Sequence, residues 1–206
     1  EVLMECNLNG MKDNYKDPAG KNYVGKTVSD PHPLDIISDA IAITAKNTTL
    51  VRGTPFSVTI TGPPSTPYLV WVKNTGQMTG LSQDQPPHLL PNQSGLKRDL
   101  VNGPYLYGGY QFQGGSGRTV KEDVPASPSN GINYYGLVTL TSTGSRTIGW
   151  QTTKDTADKI YTIHVERGPP GPNGLPAIFS GVADYTSADV DIRIEKGEVS
   201  IVAAGD

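Results

Sequence analysis

The side chains able to do chemistry are few and widely spaced. His32, His88 and His164 are far apart, and no cysteine or second histidine stands at a zinc-ligand spacing from any of them. Gly114-Gly115-Ser116-Gly117 resembles a nucleophile elbow only loosely, because glycines do not flank the serine at alternate positions, and it reads as a flexible turn. Asp184, Asp189 and Asp191, or Asp155 and Asp158, would offer hard oxygen ligands to calcium, but the same carboxylates also serve to keep strand edges from pairing wrongly. No metal site and no catalytic residue is expected, calcium being the one cofactor the acidic residues leave open. Two Asn-x-Thr/Ser acceptors, at Asn47 and Asn92, sit in polar segments where an N-linked glycan would not disturb a core. Cys6 is the lone cysteine, so a disulfide would have to join two subunits, and its place outside the expected core makes it a cross-link candidate.

The elements around these residues read as β-structure. Phe56, Val58 and Ile60 alternate with Ser57, Thr59 and Thr61 up to Gly62-Pro63-Pro64, and Tyr68–Lys73 follows as a strand expected to pair with it. Tyr134–Thr141, Arg146–Thr153 and Lys159–Glu166 show the same bounded pattern. Val190, Ile192 and Ile194 lead into Lys196-Gly197, and Val199 and Ile201 return as a closing hairpin. Strand spacing of this kind predicts a sandwich.

Two stretches break the pattern. Residues 1–35 form an expected extended arm, rich in turn residues and interrupted at Pro31-His32-Pro33, whose apolar opening Val2, Leu3 and Met4 would add a short strand to a partner. Within the β domain of residues 36–206, residues 74–133 form a long insertion of Gly, Pro, Ser, Asn and Gln carrying Tyr105, Tyr107, Tyr110 and Phe112. A strand is expected near Tyr105–Phe112, because long structureless loops are rare in compact domains. The tyrosines would either contact neighbouring copies, with rigid rings and polar tips, or lie on their own domain.

Composition narrows the function classes. With 17 Lys and Arg against 20 Asp and Glu, a net charge of −3 and no basic cluster, nucleic acid is not an expected partner. Apolar runs fall well short of the roughly 20 residues that cross a bilayer as a helix. The start at Glu1 fits an exported chain freed of its signal peptide and equally a fragment of something longer.

Longer segments carry a family likeness. Thr54-Pro55-Phe56-Ser57-Val58-Thr59-Ile60-Thr61-Gly62 followed by Pro67-Tyr68-Leu69-Val70-Trp71-Val72-Lys73 resembles the repeated domain of surface-layer glycoproteins from methanogenic archaea. Asp84-Gln85-Pro86-Pro87, Gly117-Arg118-Thr119-Val120 and Trp150-Gln151-Thr152-Thr153-Lys154-Asp155 continue it in order, as does the terminal Val199–Asp206 stretch. The resemblance implies an Ig-like β-sandwich, secreted to the archaeal cell surface, commonly glycosylated, building a porous S-layer and needing no catalytic residue. Family members are often longer, with several domains and a membrane anchor. A single such domain preceded by an arm with a lone cysteine resembles either a fragment or the subunit of the tubular sheath around filamentous methanogens. The expected function is therefore a self-assembling structural subunit of the cell envelope, using strand edges, the arm at Val2, Leu3 and Met4, and Tyr105, Tyr107 and Tyr110. An extracellular adhesin or carbohydrate-binding module, with the insertion as a ligand groove, is the alternative.

Overall fold

Alternating apolar residues dominate the chain from Ala42 onward, and the fold that buries them is all-β. The computed structural model describes residues 2–4, 19, 32–34, 40–127, 131–167 and 186–197. The chain divides into two units, Glu1–Ser38 and Asp39–Asp206.

In the first unit, β1 (Val2–Met4) pairs antiparallel with β2 (His32–Leu34), Leu3 opposite Pro33. His32 and Pro33 of the expected break thus belong to a strand. A two-stranded ribbon has only edge strands, so one side of Pro33 is spared the ladder bond that it cannot donate. Cys6 lies outside the described residues.

The second unit holds two sheets. One has the order β3 (Ala42–Ala45), β5 (Pro55–Thr61), β10 (Ser145–Gln151), β7 (His88–Leu89), antiparallel throughout. The other runs β4 (Thr49–Val51), β12 (Thr186–Glu195), β11 (Lys159–Arg167), β6 (Pro67–Val72), β9 (Tyr135–Thr139), β8 (Leu96–Lys97), with β4 parallel to β12 and the remaining pairs antiparallel.

β5 and β6, expected to pair, lie in different sheets. Two prolines in the five-residue link Gly62–Thr66 do not suit a tight hairpin turn, and the strands need different surroundings. β5 buries only Phe56, Val58 and Ile60, whereas β6 is buried on both faces over Tyr68–Val72. Directly opposite residues share a face, so the pairs Val70↔Val165 and Val72↔Ile163 set one side of the six-stranded sheet. Those side chains join Val58, Ile60, Ile148, Trp150, Ile192 and Ile194 in one apolar core. Each such buried side chain stabilises the fold by about 1.5–3 kcal/mol before chain entropy is counted.

The opposite side of that sheet carries Leu69, Trp71, Tyr135, Leu137, His164 and Glu166, as the pairs Leu69↔Leu137, Trp71↔Tyr135, His164↔Trp71 and Glu166↔Leu69 require. All six are buried. The insertion covers them. It makes no strand at Tyr105–Phe112. Turns run through that segment, with a single bridge from Gln111 to Thr119 and a one-turn helix α1 (Val120–Asp123) closed by a Thr119/Glu122 capping box. Packing onto the sheet supplies the order that a strand was expected to supply. The return strand foreseen at Val199 and Ile201 lies outside the described residues.

Candidate interaction surface

The insertion is held down by three carboxylates. Asp123, fully buried at the end of α1, accepts the Trp71 indole N–H at 3.0 Å and the Asn74 amide at 3.0 Å, with the Arg118 guanidinium 3.4 Å away. Asp99 accepts the Tyr107 amide at 3.1 Å, the Gly108 amide at 2.8 Å and the Tyr135 hydroxyl at 3.0 Å. Glu166 works in the reverse direction: it belongs to the sheet and accepts the Gln113 amide of the insertion at 3.1 Å.

His164 sits between two carboxylates, its Nε2 2.9 Å from Glu166 and its Nδ1 against Asp189. Lys73 approaches Asp189 from the solvent side at 3.6 Å. The Trp71 ring stands edge-on to His164 at 4.4 Å and tilts against Phe112 at 5.5 Å, and the Arg118 guanidinium lies over the Phe112 ring at 5.6 Å. Hydrogen bonds to charged groups contribute about 1.5–3 kcal/mol each, so this network anchors the insertion to the sheet at Tyr107–Gly108, Gln113 and Asp123.

The same burial moves the tyrosines. Desolvation raises the Tyr110 phenol, assisted by the negative charge and hydrogen bond of Glu166. Tyr135 is raised by burial first and then by Asp99. Both stay protonated donors across the neutral range.

The expected contact residues are placed as follows. Tyr110 is only 2% exposed and spends its hydroxyl on Glu166 inside its own chain. Tyr105 and Tyr107 are half-buried. Tyr105 donates to the Val101 carbonyl at 2.9 Å, and the Lys121 ammonium lies 3.2 Å from its ring centre. The large apolar side chains this loop offers to solvent are Leu100, Val101 and Leu106, at 66%, 50% and 55% exposure. Sequence reasoning fixed on the aromatic residues and passed over these aliphatic ones. The Leu100-Val101 pair inside an otherwise polar insertion is the signal that marks them. Val2, Leu3 and Met4 lie in β1, where β2 already satisfies one edge of the strand.

His164, Glu166, Asp99 and Asp123 were not foreseen as a cluster. Alternation along β11 sets Thr162, His164 and Glu166 opposite the core-facing residues, which alone suggests a wet face. The continuous apolar run of the neighbouring β6 argues otherwise, since a strand buried on both sides needs a cover.

The acidic residues considered for calcium have other partners. Asp189 contacts His164 and Lys73, Asp191 accepts the Thr162 hydroxyl at 2.7 Å, Asp155 pairs with Lys154, and Asp158 pairs with Arg193 at 2.7 Å. Asp184 lies outside the described residues. Among those described, no three His, Cys, Asp or Glu gather in a way that would hold a metal ion, and no helix is long and apolar enough to cross a membrane. Asn47, in the turn between β3 and β4, and Asn92, in a turn after β7, are both exposed.

No family model matches the chain, and no curated protein matches it. Among solved structures, the chain is similar to BslA, a bacterial hydrophobin, with 14% identity and a TM-score of 0.29 over 77% of this chain and 95% of that one. It is also similar to AvmM, which catalyses macrocyclization in alchivemycin A biosynthesis, with 12% identity and a TM-score of 0.35 over 80% of this chain and 94% of that one.

Proposed function

We propose that the chain is a structural subunit of an archaeal cell-surface layer or sheath, exported and glycosylated, that assembles with copies of itself and transforms no substrate. The observation that carries this reading is the anchored loop: buried Asp99, Asp123 and Glu166 tie the insertion to the sheet, and the loop presents Leu100, Val101 and Leu106 to solvent. Apolar side chains held in a fixed frame lose little entropy when a second molecule covers them. The edge strands β3 and β4 offer further places for strand addition, and Val51 on β4 is itself exposed.

We read the domain as Ig-like. The order β3-β5-β10 is that of strands A-B-E and β12-β11-β6 that of G-F-C, while β7 and β9 fall at the places of D and C′ in the reverse chain order. The sequence likeness to surface-layer domains of methanogens supports the same reading. Heterologous contacts between such bricks propagate into sheets, hoops or tubes.

The alternative, an adhesin or carbohydrate-binding module, draws support from a groove beside Phe56. Electron microscopy of the purified full-length chain separates the two. Ordered sheets or tubes at modest concentration support the coat subunit. A chain that stays dispersed while titrating saturably with a soluble glycan supports the binding module.

A further inference from the structure

A groove of about 370 Å³ lies where the β3–β4 turn meets β5 and the segment after β7. That volume is within the range of sites that hold a small organic ligand. Lys46, Asn47, Leu50, Phe56, Ser57 and Leu90 line it. Phe56 lies directly opposite Trp150 on the core face of the four-stranded sheet, with 6.4 Å between the ring centres and 12° between the rings, and reaches the groove only by its edge, at 8% exposure.

Asn47 is also the acceptor of the Asn47-Thr48-Thr49 sequon, and it is exposed. A glycan attached to its side-chain nitrogen begins at the mouth of this groove. A sugar ring has an apolar C–H face and a rim of hydroxyls. Leu50 and Leu90 suit the face, while the Ser57 hydroxyl and the Lys46 ammonium suit the rim.

The second sequon belongs to the same end of the domain. Gln93, next to Asn92, accepts the Gly149 amide at 2.5 Å and donates to the Leu90 and Gly149 carbonyls at 2.8 and 2.9 Å. These bonds tie the Asn92 turn to Leu90 and Gly149, both of which line the groove. Asn92 itself does not line it.

We infer that the groove is the seat of the innermost sugar of an N-linked glycan on Asn47, with Asn92 carrying a second glycan at the same end of the four-stranded sheet. The inference rests on the coat reading only in requiring export through a glycosylating pathway.

The test uses the full chain secreted from a eukaryotic host that attaches N-glycans, with occupancy read site by site by mass spectrometry. In the native protein, peptide-N-glycosidase is expected to release the Asn47 glycan about tenfold more slowly than the Asn92 glycan, equivalent to about 1.4 kcal/mol of protection. The rates are expected to converge after denaturation. The double variant Leu50→Ala, Leu90→Ala, checked for folding by circular dichroism, is expected to lose the difference. Equal native rates, or an unmodified Asn47, overturn the inference. So does saturable binding of a soluble glycan to bacterially made protein that Leu50→Ala, Leu90→Ala abolishes, since the groove then serves a foreign sugar. Array formation by unglycosylated protein is scored separately, so a failure of the coat reading is distinguishable from a failure here.

Discussion

Trp71 on β6 donates its indole N–H to the carboxylate of Asp123 at 3.0 Å, across 52 residues of sequence. That bond joins the outer face of the six-stranded sheet to the far end of the insertion, and both partners are fully buried. Asp123→Ala leaves the Trp71 and Asn74 donors without an acceptor, and is expected to cost about 3 kcal/mol. Urea unfolding measures the loss, and limited proteolysis is expected to cut first between Asp99 and Asp123. Asp123→Asn keeps an oxygen for Trp71 and is expected to cost less than half as much.

Gly108 is a second point where sheet and insertion touch closely. A Cβ there would lie 2.6 Å from the Tyr135 hydroxyl and 3.2 Å from Asp99. Gly108→Ala is therefore expected to lower stability by about 1–3 kcal/mol through overpacking. Adding Tyr135→Phe removes the nearer contact and leaves Cζ at 2.9 Å, so the clash is relieved only in part and the two effects on the melting temperature are expected to be less than additive.

Alkali is expected to destabilise the domain through its buried phenols. Burial, then Asp84, pushes the Tyr161 phenol up to about 12, with the Ala157 backbone acting in the opposite sense. Tyr110 and Tyr135 are raised as well, by burial first. The unfolded chain ionises at about pH 10, while the folded phenols keep their protons. Stability from this source is complete below about pH 10 and falls as pH rises from there toward the folded values. Urea midpoints from pH 7 to 12 read the decline, and Tyr161→Phe is expected to make it shallower.

The exposed Leu100 and Leu106 separate assembly from folding. Replacing both with Asp is expected to change unfolding free energy by less than about 1 kcal/mol, because surface positions seldom matter more. Association in sedimentation velocity is expected to fall sharply. A variant that associates like the wild type removes this loop from the interface.

Deletion of residues 1–33 is expected to leave a folded domain that is largely monomeric. Circular dichroism and light scattering check the two halves of that expectation. The deletion removes β1 and all but Leu34 of its pairing partner β2, while the described core residues all lie beyond it.

Period-two alternation placed β5, β10, β11 and β12 to within a few residues, because each has one buried face and one that is wet or polar. Pairing was harder to read. The prolines of Gly62-Pro63-Pro64 argue only against a tight hairpin, and the clue that the chain crosses to a second sheet lies in the contrast between one-faced β5 and two-faced β6. The interaction surface was legible only in part. Tyr110 and Phe112 stood out in the insertion, but their burial depends on Asp99, Asp123 and Glu166, which are scattered along the sequence and meet only once the sheet has formed. The shared location of Asn47 and Asn92 is equally nonlocal, fixed by Gln93 bonding to Gly149 of β10.

Sedimentation velocity of the full-length chain over a hundredfold range of concentration, followed by electron microscopy of the pelleted material, tests self-association most directly. Concentration-dependent growth into regular sheets or tubes, lost in Leu100→Asp, Leu106→Asp, is the predicted result. A single monomer boundary at every concentration and nothing ordered on the grid would contradict it.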